Sequence, residues 1–289
     1  MIPAKFDYVR PSSVEEAVSA LQSAGEDAKI LAGGQSLLPV LRLRMAAPST
    51  VIDLGGIPEL KRIGEDDQYV MVGAMATHHE VMRNDLVNTH VELIARATET
   101  VADPQVRHRG TLGGALAHAD PAGDLGAAAL AMDAEFVILG AGGTRLVTAA
   151  DFFQDYFTTA IGEGEILTMI RFPKRSGWKS HYEKFNRVAQ AWSMVAVAVA
   201  LKVDGGTITE ARVGLTNMGN VPIRATGVEA ALVGKAAGPD VEASHILGRR
   251  FPHRTLVALT VAQHRKDVEL AMLDLSGDGH AKAHRKPMT

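Results

Sequence analysis

Two glycine segments decide the fold of this chain: LAGGQSLLPVLRLR at residues 31–44 and RGTLGGALAHADPAGD at residues 109–124. The apolar run before the first, residues 28–32, predicts a short strand. Ser36 stands where a helix over residues 37–45 would begin, with a proline in its first turn, where proline is tolerated. The first segment therefore lies at a junction between a strand, a turn and a helix.

The AGGQS segment has the residue types that a pyrophosphate requires. Without a Cβ, Gly33 and Gly34 let backbone N–H groups approach an anion closely, and Ser36 adds a hydroxyl. The N-terminus of the following helix adds partial positive charge. The alternative is a plain turn whose glycines only supply unusual φ angles.

The second segment has the same character. Thr111 supplies a hydroxyl, Gly113 and Gly114 offer backbone donors, and Asp124 could accept hydrogen bonds from a ribose. The alternative for Asp124 and for His118 is ordinary loop polarity. Two such loops in one chain favour a nucleotide diphosphate as ligand.

Strands and helices are interspersed along the chain without strict alternation, which favours an α+β fold over a doubly wound sheet. A helix is predicted over residues 91–102 and two strands over 180–187 and 194–203. The glycine- and proline-containing stretch 162–177 is the best candidate for a domain boundary. The basic end, residues 280–289, is expected to be a solvated terminus.

Composition excludes several classes of function. With 30 basic and 33 acidic residues the net charge is −3, so we expect no nucleic-acid partner. The chain has no cysteine, and therefore no catalytic thiol and no cysteine-ligated cluster of its own. The longest apolar run, residues 194–201, is far too short to span a membrane, and the first ten residues do not form a secretory signal. We expect a cytoplasmic protein.

Common catalytic signatures are missing from the sequence. There is no Rossmann glycine fingerprint, no phosphate-loop motif and no nucleophile elbow. The pair His78–His79 lacks a second histidine one turn further on, so we interpret it as the start of a helix and not as a metal site. We expect no catalytic acid, base or nucleophile and no metal ligand from this chain.

Five motifs in order carry a family likeness. They are MIPAKFDY from residue 1, the first glycine segment, ADPQVRHRGTLGG from residue 102, YEKFNR from residue 182 and GLTNMGNVPIRA from residue 214. Together they span about residues 1–235. The chain resembles the FAD-binding medium subunit of molybdenum hydroxylases, and most closely that of aerobic carbon monoxide dehydrogenases.

The resemblance implies an FAD-binding fold of the p-cresol methylhydroxylase and vanillyl-alcohol oxidase type. Its FAD-binding domain would cover residues 1–175, with two α+β subdomains at about 1–57 and 58–175. A smaller C-terminal α+β domain would follow at 176–289, with an atypical tail from about residue 244.

The resemblance also implies which residues bind FAD, without a covalent link. The two glycine loops would bind the diphosphate, Asp124 and Lys184 would be an acidic and a basic contact, and Trp192 would lie near the isoalloxazine ring unless it is a buried core aromatic. The full set is Ala32, Gly33, Gly34, Gln35, Ser36, Leu37, Thr111, Leu112, Gly113, Gly114, Ala115, His118, Asp124, Leu167, Lys184 and Trp192.

Two positions depart from the family pattern, since Gln35 stands where histidine is common and Ala115 where asparagine or aspartate is usual. Neither side chain is the one that the family has at that position, whereas backbone contacts with FAD would survive.

The implied function is that of an electron-transfer subunit. Substrate would be oxidised at a molybdenum cofactor on a large subunit, and two [2Fe–2S] clusters on a small subunit would pass electrons to FAD and on to an acceptor such as quinone. The complex would be a dimer of heterotrimers, in the cytoplasm or peripheral at the inner face of the membrane. Three alternatives stay open: a hydroxylase acting on an aldehyde, nicotine or an aromatic thioester; an interaction subunit without flavin; and a freestanding flavin reductase.

Overall fold

The structure, a computed structural model, describes residues 2–237 and three later strand backbones. These form an antiparallel sheet of β15 (Leu256–Val261), β16 (Val268–Asp274) and β17 (Lys282–Ala283). Apart from these strand backbones, residues 238–289 lie outside what the structure describes, and with them the predicted solvation of residues 280–289 and the predicted atypical tail from about residue 244.

A small parallel sheet opens the chain. Its strands lie in the order β1–β3–β2, with bounds Asp7–Val9 for β1, Ala28–Leu31 for β2 and Thr50–Asp53 for β3. Helix α1 (Val14–Ala24) begins at its N-cap Ser13 and buries Val14, Ala17 and Val18 against this sheet. Helix α2 (Leu37–Arg42) follows β2 and the first glycine segment.

A five-stranded antiparallel sheet forms the second layer, in the order β4–β5–β10–β6–β7. The strand bounds are Ile63–Glu65 (β4), Tyr69–Gly73 (β5), Glu135–Gly140 (β6), Gly143–Thr148 (β7) and Ile166–Pro173 (β10), and a small hairpin joins β8 (Phe153–Asp155) to β9 (Thr158–Thr159).

Helices cover this sheet and share a core with it. Their bounds are His78–Arg83 (α3), Asp85–His90 (α4), Glu92–Glu99 (α5), Pro104–Arg107 (α6), Leu112–His118 (α7), Asp124–Ala131 (α8) and Ala149–Phe152 (α9). Two short 3-10 helices, Leu54–Gly56 and Pro58–Lys61, connect the first two sheets.

A four-stranded antiparallel sheet, in the order β11–β12–β13–β14, forms the third layer. The strands are Lys179–Phe185 (β11), Val195–Asp204 (β12), Thr207–Thr216 (β13) and Ile223–Arg224 (β14), and helix α10 (Thr226–Leu232) packs on one face. Along β12 the valines belong to the core under α10 and the alanines to the core of the second layer. This double burial explains the uninterrupted apolar run of β12.

The third sheet packs tightly against helix α8. A Cβ added at Gly214 on β13 would lie 2.2 Å from the carbonyl oxygen of Ala127 on α8. Only glycine permits this approach.

The predicted α+β class is confirmed. The helix predicted over 91–102 is present as α5, Glu92–Glu99, but it ends three residues earlier, and Val91, whose φ and ψ of −141° and 44° are not helical, separates it from the preceding α4. The chain then continues into α6, because Pro104 occupies the first turn of a new helix capped by Asp103. The domain boundaries at residues 57 and 175 stay predictions.

Candidate functional site

The first glycine loop, residues 32–36, presents a row of backbone donors. Gly34 has φ +75°, which turns the chain from β2 into α2. Among the described residues, none of the N–H groups of Gly33, Gly34, Gln35 and Ser36 donates a hydrogen bond within the chain. Because unpaired N–H groups at a helix start favour an anion, this loop has the donors that a phosphate group needs.

The side chains of the first loop offer fewer groups for binding a ligand than its backbone does. Gln35 Nε2 donates to the carbonyl oxygen of Gly33 at 3.1 Å, and the Ser36 side chain makes no capping bond to α2. The Ser36 hydroxyl is therefore free to bond a ligand, while the Gln35 amide holds the loop itself.

The second glycine loop, residues 110–115, differs from its expected role. Thr111 caps α7 by accepting a hydrogen bond from Gly114 N–H at 3.1 Å, and Gly113 N–H donates to Ala74 O at 2.9 Å. The expectation that Gly113 and Gly114 offer free backbone donors was wrong, since both N–H groups are satisfied inside the chain. Leu112 N–H is likewise bonded to Ala76 O at 2.9 Å. This loop can therefore contribute the Thr111 hydroxyl as a group that binds a ligand, and its backbone can form part of the surface of the site.

The fold brings the two glycine loops side by side. A Cβ at Gly33 would lie 2.3 Å from the carbonyl oxygen of Arg109, and one at Gly114 would lie 3.1 Å from the Ala32 Cβ. These glycines are needed for contact between the loops, which makes one continuous site of them. The free donors of the first loop face no other partner in the described chain, so this site fits a diphosphate.

His78 is a buried histidine that contacts the second glycine loop. Its backbone N–H donates to Gly110 O at 2.9 Å, and its ring is 3% exposed, with no hydrogen-bond partner for Nδ1. Burial, aided by repulsion from Arg107, lowers the pKa of His78 to about 4. The ring is therefore neutral near pH 7. As expected, the residue opens a helix, α3, whose cap is Thr77.

Asp124 and Lys184 form a buried ion pair with each other. Lys184 Nζ lies 2.8 Å from Asp124 Oδ2, and the two side chains are 6% and 5% exposed. Asp124 Oδ1 accepts hydrogen bonds from the hydroxyl groups of Tyr182 at 3.0 Å and Ser193 at 2.7 Å. The interpretation of Asp124 as a loop residue with only local turns was wrong, because its partners all come from the third sheet region. Both of its oxygens are already engaged within the chain.

Trp192 is exposed, so it is not a buried core aromatic. It lies on the loop between β11 and β12, residues 186–194, together with Val188. Loop residue Gln190 donates to Asp103 Oδ2 at 2.9 Å, which ties this loop to the segment that leads into the second glycine loop.

The remaining predicted residues have varied surroundings. Leu167 is buried on β10 next to an irregularity in its pairing with β6, and Leu37 is partly buried at the start of α2. His118 ends α7 with its ring centroid 5.1 Å from that of Phe157. These positions leave their predicted contacts with FAD as predictions.

Sequence reasoning missed Ser193, Tyr182 and Gln190. Their role depends on partners 58 to 87 positions away in the chain, at Asp124 and Asp103. No local pattern marks such residues, although the polar Ser193 within an apolar run was a usable signal.

Within residues 2–237 and the later strands, no group of three or more metal-ligating side chains that could hold an ion is found. Among the helices within residues 2–237, none has the length and the apolar character that a membrane span requires.

Two adjacent glycine loops, one with free donors at a helix start, define the site of a protein that binds a nucleotide diphosphate. Residues 4–175 match the family of the FAD binding domain in molybdopterin dehydrogenase, and residues 180–248 match the CO dehydrogenase flavoprotein C-terminal domain. The chain belongs to this family of FAD-binding flavoproteins of molybdenum hydroxylases, and the predicted resemblance is confirmed.

Individual relatives agree with the family. The carbon monoxide dehydrogenase medium chain of Hydrogenophaga pseudoflava is 41% identical, over 82% of this chain and 83% of its own length. The glyceraldehyde dehydrogenase medium chain of Sulfolobus acidocaldarius is 37% identical, over 83% and 85% of the two chains. A solved structure of carbon monoxide dehydrogenase from Hydrogenophaga pseudoflava matches with a TM-score of 0.79 and 43% identity, covering 82% of this chain and 83% of that one.

Proposed function

We propose that this chain is the medium subunit of a molybdenum-containing carbon monoxide dehydrogenase and holds FAD without a covalent link. One observation carries the cofactor assignment: the four successive N–H groups of Gly33–Ser36 have no partner within the described chain. The similarity to a carbon monoxide dehydrogenase medium chain, at 41% identity, supports the choice of substrate.

Each part of the site has a proposed task toward the cofactor. The first loop donates its backbone N–H groups to the diphosphate, and Thr111 adds a hydroxyl from the second loop. Trp192 covers a face of the isoalloxazine ring, and the pair Asp124–Lys184 holds the surrounding segments. When bound, FAD supplies the redox chemistry through which electrons leave the complex.

The absence of cysteine from the sequence fits a division of labour among subunits. Iron–sulfur clusters need cysteine thiolates, so the [2Fe–2S] clusters belong to a small subunit and the molybdenum cofactor to a large one. We propose a dimer of such heterotrimers that delivers electrons to an external acceptor such as quinone. Its place would be the cytoplasm or the inner face of the membrane.

Two other functions compete. The similarity to a glyceraldehyde dehydrogenase medium chain keeps an aldehyde hydroxylase open, and nicotine or an aromatic thioester are further candidate substrates. An interaction subunit without flavin is suggested by Ala115 and Gln35, whose side chains offer no obvious bond to FAD. The free donors of the first loop belong to the backbone and do not depend on these side chains, which favours the flavoprotein.

A matched pair of variants at Ser36 tests the cofactor site. Aspartate and asparagine are both preferred helix caps, so Ser36→Asp and Ser36→Asn should fold equally well and differ only in charge. A carboxylate at this position would repel the diphosphate by about 3 kcal/mol at ~5 Å with an effective dielectric constant of ~20.

FAD affinity, measured by flavin fluorescence titration of the full chain, should fall at least tenfold in Ser36→Asp relative to Ser36→Asn. Equal FAD affinity in the two variants would contradict the assignment. A wild-type chain without any flavin absorbance after incubation with FAD would favour the interaction subunit. Substrate class is tested separately, by adding carbon monoxide, glyceraldehyde or nicotine to the complete complex and recording bleaching of the cluster absorbance.

A further inference from the structure

The loop that joins β11 to β12 carries an exposed apolar cluster. We call residues 186–194 the tryptophan loop. Within it, Val188, Trp192 and Met194 are 66%, 59% and 52% exposed, and Phe185 at its base is 43% exposed. Clustered apolar side chains in water are costly, which indicates that something covers them in the working protein.

The backbone of the tryptophan loop is nevertheless held in place. Ser193 Oγ donates to Asp124 Oδ1 at 2.7 Å, and Gln190 Nε2 donates to Asp103 Oδ2 at 2.9 Å. Asn217, the residue after β13, donates through Nδ2 to the carbonyl oxygen of Ser193 at 2.9 Å. Polar groups therefore fix the loop while its apolar side chains point into solvent.

The anchors connect the loop to both flanks of the second glycine loop. Asp103 caps α6, which leads into residues 110–115, and Asp124 is the first residue of α8, which follows them. Of the two, the anchor at Asp124 is buried, with Ser193 only 2% exposed. A hydrogen bond from a hydroxyl to a buried carboxylate is among the stronger kinds in proteins.

Two further partners bind the Asp124 carboxylate. Lys184 pairs with Oδ2 at 2.8 Å, and Tyr182 donates to Oδ1 at 3.0 Å. Burial and the nearby Asp124 raise the pKa of Tyr182 well above its ordinary value, so its hydroxyl remains a donor. The ion pair with Lys184 is what fixes the carboxylate, so Asp124 offers Ser193 a fixed acceptor oxygen.

We propose that Asp124 and Ser193 are positioning residues that hold Trp192 where it covers the isoalloxazine ring. This inference rests on the proposed function, since it takes FAD as the group that covers the apolar cluster. Toward Trp192, Asp124 acts through Ser193 and the tryptophan loop.

Ser193→Ala and Tyr182→Phe form a matched pair for the test. Each removes one hydroxyl donor to the same oxygen of Asp124, but only Ser193 lies on the tryptophan loop. The chain has two tryptophans, so a Trp178→Phe background leaves Trp192 as the single fluorescent indole.

The first readout needs no flavin. In the full-length chain without FAD, time-resolved anisotropy should show faster and wider motion of Trp192 in Ser193→Ala than in Tyr182→Phe. The second readout is FAD titration: we expect Ser193→Ala to bind FAD about tenfold more weakly and to lose part of the quenching of Trp192 by flavin, because one charge-assisted hydrogen bond no longer fixes the loop. Tyr182→Phe should stay within about twofold of its background.

If the two variants behave alike in either readout, the positioning role is refuted. Failure of the Trp178→Phe background to bind FAD, in a chain that folds, would instead refute the proposed function, while the anisotropy would still test the anchor. Should Ser193→Ala not fold, Gln190→Met removes the exposed anchor at Asp103 and should shift both readouts in the same direction. An unchanged Gln190→Met would then overturn the proposal.

Discussion

The buried pair Asp124–Lys184 predicts a large and specific cost for removing one partner. Lys184→Met leaves the Asp124 carboxylate uncompensated in a place where it is 5% exposed. Breaking a buried ion pair in this way typically costs 3–5 kcal/mol. Because Tyr182 and Ser193 still donate to Asp124, we expect the lower end, about 3 kcal/mol of unfolding free energy.

The partner variant completes a double-mutant cycle. Asp124→Asn leaves the Lys184 ammonium buried, with the Thr100 carbonyl oxygen at 3.1 Å as its remaining partner, and should cost a similar amount. In the double variant no unpaired charge remains, so its cost should fall short of the sum of the two single costs by about 2 kcal/mol or more.

Urea unfolding of the full chain without FAD at pH 7, followed by circular dichroism, gives these free energies. The control is Lys202→Met, which removes a lysine from an exposed pair with Glu210 at 3.4 Å and should cost under about 1 kcal/mol. A cost for Lys184→Met no larger than for Lys202→Met, or additive single costs, would refute the argument that this pair is buried and mutually dependent.

Two further predictions concern the glycine loops. In Gly33→Ala the new Cβ would lie 2.3 Å from the Arg109 carbonyl oxygen, so the two loops must separate. Thermal unfolding should show a loss of about 1–3 kcal/mol of stability, and FAD should bind more weakly. The control is Gly142→Ala, whose Cβ would have nothing within 4 Å and which should change stability by no more than about 0.5 kcal/mol. For His78, the pKa of about 4 in the folded chain lies below the value of about 6.5 in the unfolded chain. Its contribution to the free energy of unfolding is therefore present above pH 6.5 and is lost as the pH falls toward 4. Urea unfolding at several pH values should show that the free energy of unfolding of His78→Gln falls by about 3 kcal/mol less than that of the wild type between pH 7 and 4. Parallel pH profiles of the two chains would contradict this.

Local patterns in the sequence were enough to predict the first glycine loop. A strand, two glycines and a helix start lie within residues 28–42, so the arrangement needs no distant partner. The helix start at the pair His78–His79 was predicted for the same reason.

The second glycine loop, helix α7 and the loop that carries Trp192 depend on tertiary contacts, which local sequence patterns do not show. Gly113 donates to Ala74, which lies on a distant segment, so its N–H could not be recognised as engaged. Residues 112–118 form a helix despite two glycines, because Thr111 caps it and Leu112 and Leu116 are buried. The loop that carries Trp192 is likewise held by hydrogen bonds of Ser193 and Gln190 to residues 69 and 87 positions away.

Electron exit through FAD held by this chain is tested most directly in the complete complex. Complexes assembled with the Ser36→Asp or the Ser36→Asn chain are mixed with carbon monoxide and a quinone-type acceptor in a stopped-flow instrument. In both, carbon monoxide should bleach the iron–sulfur absorbance, but the Ser36→Asp complex should reduce the acceptor more slowly than the Ser36→Asn complex, in proportion to its loss of bound FAD. Acceptor reduction by a flavin-free Ser36→Asp complex, or loss of cluster bleaching in that complex despite intact assembly and a loaded molybdenum site, would contradict the account.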